Sequence, residues 1–119
     1  MDLPEVMGGI NKGPTPGFHA RAAVSGCVAI GINMEAANQG ISIDGIHLGI
    51  EMDFDDSAAL GMGSNSAAPL ATRLVITVTT DHEESDIQAL VAQVLEKDTF
   101  FLALRDAQAV SAEIVLDRS

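Results

Sequence analysis

Cys27 is the single thiol of this 119-residue chain, and a thiol can serve as a nucleophile, a redox centre or an inert packing group. A reactive cysteine must be a thiolate, and apolar burial works against this because it raises the pKa of a thiol. The residues that share the predicted helix face of Cys27 carry no charge: Ala20, Ala23, Val24, Ile30, Gly31 and Met34. Its own helix therefore favours an inert thiol, and activation would require Arg73 or Arg105, reaching it across a dimer interface.

Histidines and carboxylates are the other residues that could do chemistry, and neither group forms a metal motif. The histidines are scattered, at His19, His47 and His82. His19, in the cysteine helix, could act as a base at a dimer interface, but we favour a structural role. Four acidic residues lie close together in the sequence, at Glu51, Asp53, Asp55 and Asp56. Such a cluster could bind a hard cation, but no glycine-rich calcium loop surrounds it. We predict a solvated sheet face, no metal and no cofactor.

Charge and composition exclude several classes of partner. Six basic residues face 17 acidic ones, giving a net charge of −11, so phosphate backbones and anionic membranes would repel the chain. The absence of Trp and Tyr removes the usual platforms for stacking bases. No targeting pattern begins the sequence, and residues 22–34 are too few to span a bilayer. We expect a cytoplasmic protein that binds neither nucleic acid nor membrane.

A long apolar helix must position Cys27. Thr15 can cap a helix over residues 18–38, and Gly40 suits its left-handed end. The helix is apolar nearly all round, which predicts burial on most of its sides. Gly26 and Gly31 disfavour helix, so their presence indicates close packing against another backbone.

Two strands follow this helix. Residues 46–54 alternate apolar and polar side chains, as a half-buried strand does. Ile41 and Ile43 have the opposite parity, which predicts a bulge or kink at Asp44-Gly45. Residues 56–69 form a low-complexity connector, predicted to be mobile, before a second strand at 71–79 that can pair antiparallel with the first.

The last third of the chain predicts a helix and a strand. Ser85 to Gln88 is typical of a capping box, and an amphipathic helix follows to about Lys97. A helical turn is predicted within residues 98–106, and a closing strand at 109–117. The order α-β-β-α-β, after a loop at 1–13, predicts one α+β domain over residues 1–119. Three strands and two helices are too few to bury the apolar first helix on most of its sides. This predicts an obligate oligomer, most simply a twofold dimer.

The sequence resembles the OsmC/Ohr family (osmotically inducible protein C-like and organic hydroperoxide resistance proteins). The resemblance rests on Gly8-Gly9, on residues 13–16 (Gly-Pro-Thr-Pro) and on the small apolar residues 22–29 around Cys27, and the downstream elements follow the family's order. It implies an intertwined α+β homodimer with a small antiparallel sheet on a central helix. It also implies a thiol peroxidase that reduces organic hydroperoxides, with Cys27 as the attacking thiol.

Three features of active family members are missing. A second cysteine, which resolves the sulfenic acid, would fall near Asp98-Thr99, and none is there. An activating glutamate would fall near Gly17, which has no carboxylate. An arginine belongs to N-terminal strands that this sequence lacks, so the resemblance implies an N-terminally truncated member.

These observations support more than one hypothesis about function. The first is thiol-dependent reduction of organic hydroperoxides through Cys27, weak or lost, with an external thiol as resolving partner. The second is a non-catalytic dimer that acts as an interaction module or binds a small molecule. A groove in the dimer could hold a lipophilic ligand, but we favour core packing for the apolar residues that would line it: Phe18, Met34, Met62, Phe100 and Phe101. The third is a subunit whose missing strands come from another polypeptide. The reactivity of Cys27 distinguishes the first two.

Overall fold

Helices pack against one face of a two-stranded sheet in the computed structural model, which describes residues 1–118. After a 3-10 turn at Glu5–Met7, the elements are α1 (Pro16–Gln39), β1 (Gly45–Asp53), α2 (Asp56–Ala59), β2 (Ala71–Thr79), α3 (Glu84–Leu95) and α4 (Thr99–Arg105). The predicted α+β class is confirmed.

Helix α1 begins and ends as its sequence predicts. The hydroxyl of Thr15 accepts the Phe18 N–H at 3.1 Å, and Gly40 has a φ of 69°, which glycine adopts without strain. Its buried side chains recur every four residues, at Val24, Val28, Ile32 and Ala36. In the single chain, this stripe is the only face of α1 that other residues cover. The predicted burial on most sides is therefore wrong for the single chain, because the face that carries Ile30 and Met34 is exposed to solvent.

Strands β1 and β2 pair antiparallel in the predicted way, with Gly45 opposite Thr79 and Asp53 opposite Ala71. Asp44 forms a bend immediately before β1, so the predicted change of parity is a kink. The inner face of the sheet packs on a small core shared by α1 and α3. The core side chains are Val28, Ile32, Ala36, Leu90 and Val94.

Helices α3 and α4 lie close to their predicted positions but are capped differently. Helix α3 begins at Glu84 after Glu83, whose side chain makes no capping hydrogen bond, so the predicted capping box at Ser85 is wrong. The predicted helical turn after α3 is confirmed as α4. Asp98 caps it, accepting the Phe101 N–H at 2.9 Å.

The predicted strand at 109–117 is wrong for the single chain, where residues 107–118 form neither helix nor strand. Its alternation indicates an extended segment with one apolar face, but a strand also needs an edge to pair with, and the segment meets none. Between the strands, the connector 56–69 contains α2, which changes the predicted order of elements. Asp55 caps α2 and accepts the Asn65 amide at 2.8 Å. The mobility of the connector stays a prediction.

The chain is more extended than a closed domain of its length. Its radius of gyration is 18.5 Å, whereas about 13.5 Å is typical of 119 residues. Its accessible surface is 8734 Å², against roughly 6,100 Å² for a compact monomer of this mass. Among the described residues, no helix is both long and apolar enough to cross a membrane.

Candidate functional site

Cys27 is half-buried on α1, and the start of α4 packs against it. The backbone N–H groups of Phe100 and Thr99 lie near its sulfur, and each lowers the pKa of the thiol. These donors are available because α4 begins here, so its first amides have no partner within the helix. The site therefore offers a thiolate two neutral donors.

Asp98 has the opposite effect and raises the pKa of the Cys27 thiol. It is 6% exposed, and one of its oxygens caps α4 through the Phe101 N–H. Burial is the largest influence on the Cys27 thiol, and the Asp98 carboxylate adds a hydrogen-bond acceptor and a negative charge beside it. Burial and Asp98 outweigh the two amides, so the pKa of Cys27 is raised above that of an ordinary thiol. The thiol is therefore protonated at neutral pH.

Gly31 makes this arrangement possible. It lies one helical turn after Cys27, and a Cβ built there would sit 2.9 Å from Cγ1 of Val94 and 3.8 Å from Oδ2 of Asp98. Only a residue without a side chain lets α3 and the start of α4 approach α1 so closely. The predicted close packing is thus confirmed at Gly31. It is wrong for the single chain at Gly26, where a Cβ would meet nothing within 4 Å.

The two arginines named as candidate activators bind carboxylates instead. Arg73 lies across from β1 and pairs with Glu51 at 3.2 Å and Asp53 at 2.9 Å. Arg105 pairs with Asp106 at 2.8 Å. Neither guanidinium is among the groups that shift the thiol's pKa. Within the described residues of one chain, the thiolate thus gains no help from these cations.

The histidines lie apart from the thiol. His19 is exposed near the start of α1, and its ring meets that of Phe18 edge-on at 5.9 Å between centroids. His82 accepts the Ser42 N–H through Nε2 at 3.3 Å. His47 is exposed on the outer face of β1. Residues 1–118 contain no group of three or more side chains that would hold a metal ion.

The apolar residues proposed to line one cavity are dispersed among several places. Phe101 lines a cavity of about 490 Å³ with residues of β2 and α4. Met34 borders a smaller one of about 230 Å³, together with Gly31 and Asp98. Phe18 and Met62 are exposed and line neither. In the single chain, these residues therefore do not line one cavity.

The sequence analysis identified the segment that lies beside Cys27, but it did not predict how that segment changes the pKa of the thiol. The resemblance placed the missing second cysteine near Asp98-Thr99, and these residues do lie against Cys27. The effect of Asp98 on the thiol was not foreseen. An aspartate at a predicted helix start, beside the position expected to face the thiol, was the signal available.

Comparisons with known proteins identify the family of the chain. The family model described as OsmC-like protein matches residues 9–113, so the chain belongs to the OsmC-like family. A comparison with curated protein sequences gives no match.

Two solved structures share the fold. An OsmC-like protein from Mycoplasma pneumoniae superposes with a TM-score of 0.72 at 14% identity, covering 87% of this chain and 68% of that one. An organic hydroperoxide resistance protein OsmC from Legionella pneumophila gives a TM-score of 0.60 at 19% identity, covering 88% and 72%. At these identities the likeness establishes the fold.

Proposed function

We propose that this OsmC-like chain is a single-cysteine thiol peroxidase that reduces organic hydroperoxides slowly at neutral pH. The observation that carries the proposal is that the start of α4 lies beside Cys27, where the backbone amides of Phe100 and Thr99 lower the pKa of the thiol. Those donors stabilise a thiolate once it forms, while Asp98 and burial keep its population small. Family membership and the hydroperoxide resistance protein of similar fold support the substrate class.

The chemistry balances with one thiol and an external reductant. Cys27 loses its proton to solvent, and the thiolate attacks the outer oxygen of the hydroperoxide. The O–O bond breaks, the sulfur is oxidised to sulfenic acid, and the alkoxide takes a proton and leaves as an alcohol. A small thiol then forms a mixed disulfide with Cys27 and releases water, and a second molecule restores the free thiol. This cycle suits a reducing compartment such as the cytoplasm.

We further propose that the functional unit is a homodimer. The single chain exposes about 2,600 Å² more surface than a compact monomer of its mass. Its largest exposed apolar side chains include Ile30 and Met34, on the open face of the cysteine helix. A second copy would cover this face and would remove water from the surroundings of Cys27.

The test measures two rates as a function of pH. Alkylation of Cys27 by iodoacetamide reports the thiolate population, and consumption of cumene hydroperoxide with excess dithiothreitol reports turnover; Cys27→Ser is the control. We expect both rates to rise together with pH, with an apparent pKa above that of a free thiol. Alkylation that rises without hydroperoxide consumption above the Cys27→Ser background would refute the peroxidase.

The raised pKa of Cys27 favours one second candidate, a non-catalytic dimer that binds a lipophilic small molecule. The cavity of about 490 Å³ beside Phe101 is its candidate binding site. Binding of a fluorescent fatty acid analogue, weakened by Leu104→Asp at the cavity and unchanged by Cys27→Ser, would identify this function.

A further inference from the structure

A small cavity lies between α1 and the segment that joins α3 to α4. Its volume is about 230 Å³, equal to that of about eight water molecules. Two carboxylates line it, Glu35 on α1 and Asp98 just before α4, together with one cation, Lys97. Negative charge is therefore in excess on its wall, in a chain whose net charge of −11 also attracts cations. The electrostatics of the cavity favour a positively charged ligand.

One oxygen of the Asp98 carboxylate lacks a strong hydrogen-bond donor. Asp98 is 6% exposed, and its Oδ1 accepts the Phe101 N–H at 2.9 Å. Its Oδ2 accepts no hydrogen bond from an N–H or O–H group of the described residues, and it lies 3.8 Å from a Cβ built on Gly31, which also lines the cavity. The Cys27 thiol lies beside the carboxylate, but an S–H is a weak donor. Burying a carboxylate in this way is costly, and a cation bound at Oδ2 would offset the cost.

Lys97 does not neutralise this carboxylate. Its Nζ pairs with Oε2 of Glu35 at 3.4 Å, and its side chain is 68% exposed. Gln39 also holds Glu35 in place, because its Nε2 donates to Oε1 at 2.9 Å. Among the described residues, no lysine or arginine forms an ion pair with Asp98. The buried carboxylate thus lacks a cation, while the lysine nearest to it in sequence is engaged elsewhere.

The other groups of the cavity wall determine which kind of cation fits. The described residues contain no cluster of three side chains suited to a metal ion, which favours an organic cation. Asn38 offers an amide oxygen beside the carboxylates of Glu35 and Asp98, and Met34 and Val94 offer apolar surface. A primary ammonium group has three donors, which matches these three acceptors, and a short alkyl chain matches the apolar surface.

We propose that this cavity binds a short alkylammonium ion, with the ammonium group against Oδ2 of Asp98 and the alkyl chain against Met34. Asn38 and Lys97 are exposed, so the ligand enters from their side. In the proposed homodimer, a second copy on the open face of α1 would cover the side formed by Met34 and enclose the alkyl chain. Binding of the ion does not depend on hydroperoxide turnover.

The bound ion would act on Cys27 through Asp98. The carboxylate raises the pKa of the thiol, and a positive charge at Oδ2 offsets the charge of that carboxylate. The ion therefore lowers the pKa of Cys27 and increases the thiolate population at neutral pH. The alkylation rate of Cys27 thus becomes a local measure of whether the cation lies against Asp98.

The first experiment measures the affinity of n-butylammonium chloride for the full chain by NMR titration at neutral pH. Sodium chloride keeps the ionic strength constant, and butan-1-ol, which has the same chain without the charge, is the control ligand. We expect Asp98→Asn, which can still cap α4, to weaken binding about tenfold or more, and Asp86→Asn on α3 to leave it unchanged. Equal binding of butan-1-ol, or an unchanged affinity in Asp98→Asn, would overturn the proposal.

The second experiment supplies the cation from the chain itself. Asn38→Lys places an ammonium group on the wall of the cavity, and Asn33→Lys is the matched control, because Asn33 is exposed on the same helix and does not line the cavity. Lysine favours helix more than asparagine, so both variants should fold. Without any ligand, we expect Asn38→Lys to accelerate alkylation of Cys27 by iodoacetamide about threefold or more, and to weaken butylammonium binding about tenfold or more. Asn33→Lys should change neither quantity by more than about twofold.

The third measurement combines ligand and thiol. Saturating butylammonium should accelerate alkylation of Cys27 in the original chain about threefold or more, as quantified by mass spectrometry, and should have no effect in Asp98→Asn. An unchanged alkylation rate in the saturated original chain, or equal effects of Asn38→Lys and Asn33→Lys, would overturn the site. These results are independent of hydroperoxide consumption, so the peroxidase can fail while the cation site holds.

Discussion

Replacing Gly31 by alanine tests the contact that brings Asp98 beside Cys27. The new Cβ would lie 2.9 Å from Cγ1 of Val94, a β-branched and almost fully buried side chain with little freedom to move. Gly26→Ala is the matched control, because it makes the same change in the same helix with nothing within 4 Å.

The expected magnitudes follow from two opposing effects. Alanine favours helix over glycine by about 1 kcal/mol at either position. Overpacking at Gly31 costs about 1–3 kcal/mol, so Gly31→Ala should lower the free energy of unfolding by about 1 kcal/mol. Gly26→Ala should raise it by about 1 kcal/mol. Helix propensity cancels in the comparison, which leaves an expected difference of about 2 kcal/mol from the contact with Val94.

Urea denaturation at one fixed protomer concentration measures these free energies, because stability of an oligomer depends on concentration. A double-mutant cycle with Val94→Ala isolates the contact, and we expect a favourable coupling of about 1–2 kcal/mol once the methyl group is removed. If Gly31→Ala stabilised the chain as much as Gly26→Ala, with no coupling to Val94, the close packing of α1 on α3 would be refuted. Faster alkylation of Cys27 in Gly31→Ala would show the displacement of Asp98.

Two further predictions concern the thiol itself. Asp98→Asn removes the negative charge but can still cap α4, so the pKa of Cys27 should fall and its alkylation at neutral pH should accelerate, whereas Asp86→Asn on α3 should leave the rate unchanged. An unchanged rate in Asp98→Asn would show that burial alone raises the pKa. The second prediction concerns stability. A folded-state pKa above the unfolded value stabilises the fold below the unfolded pKa, and this contribution disappears as pH rises through the folded pKa. Relative to Cys27→Ala, the original chain should therefore lose stability over that alkaline window in urea titrations, and a constant difference across it would contradict the raised pKa.

Sequence patterns predicted correctly the elements that depend on residues nearby in the chain. Thr15 and Gly40 bound α1 because a cap and a left-handed end depend on a few neighbouring residues. The pairing of β1 with β2 followed from two alternating segments and the connector between them. The capping box at Ser85 failed because the helix begins earlier, at Glu84, which moves the N-cap two residues back to Glu83.

Features that depend on distant contacts were harder to predict. The influence of Asp98 on Cys27 joins residues 71 positions apart and exists because Gly31 lets the helices approach. The segment 109–117 has a strand's alternation, yet alternation says nothing of which edge it meets. The same limit applies to the open face of α1, whose apolar residues predict burial without identifying what covers them.

The carboxylate beside Cys27 determines how the site can be activated. Two amides stabilise a thiolate there, and Asp98 counters them from a buried position that its capping of α4 fixes. An uncharged substrate bound nearby would leave the effect of Asp98 on the pKa of Cys27 unchanged. A cation placed against Asp98 would instead offset its negative charge, and this would lower the pKa of the thiol. Arg73 and Arg105, the two candidate activators, are paired with other carboxylates. Activation of the thiol by either one therefore requires that its ion pairs be broken, whereas a cation from the second copy of the proposed homodimer would need no such exchange and would make the reactivity of Cys27 a property of the assembly.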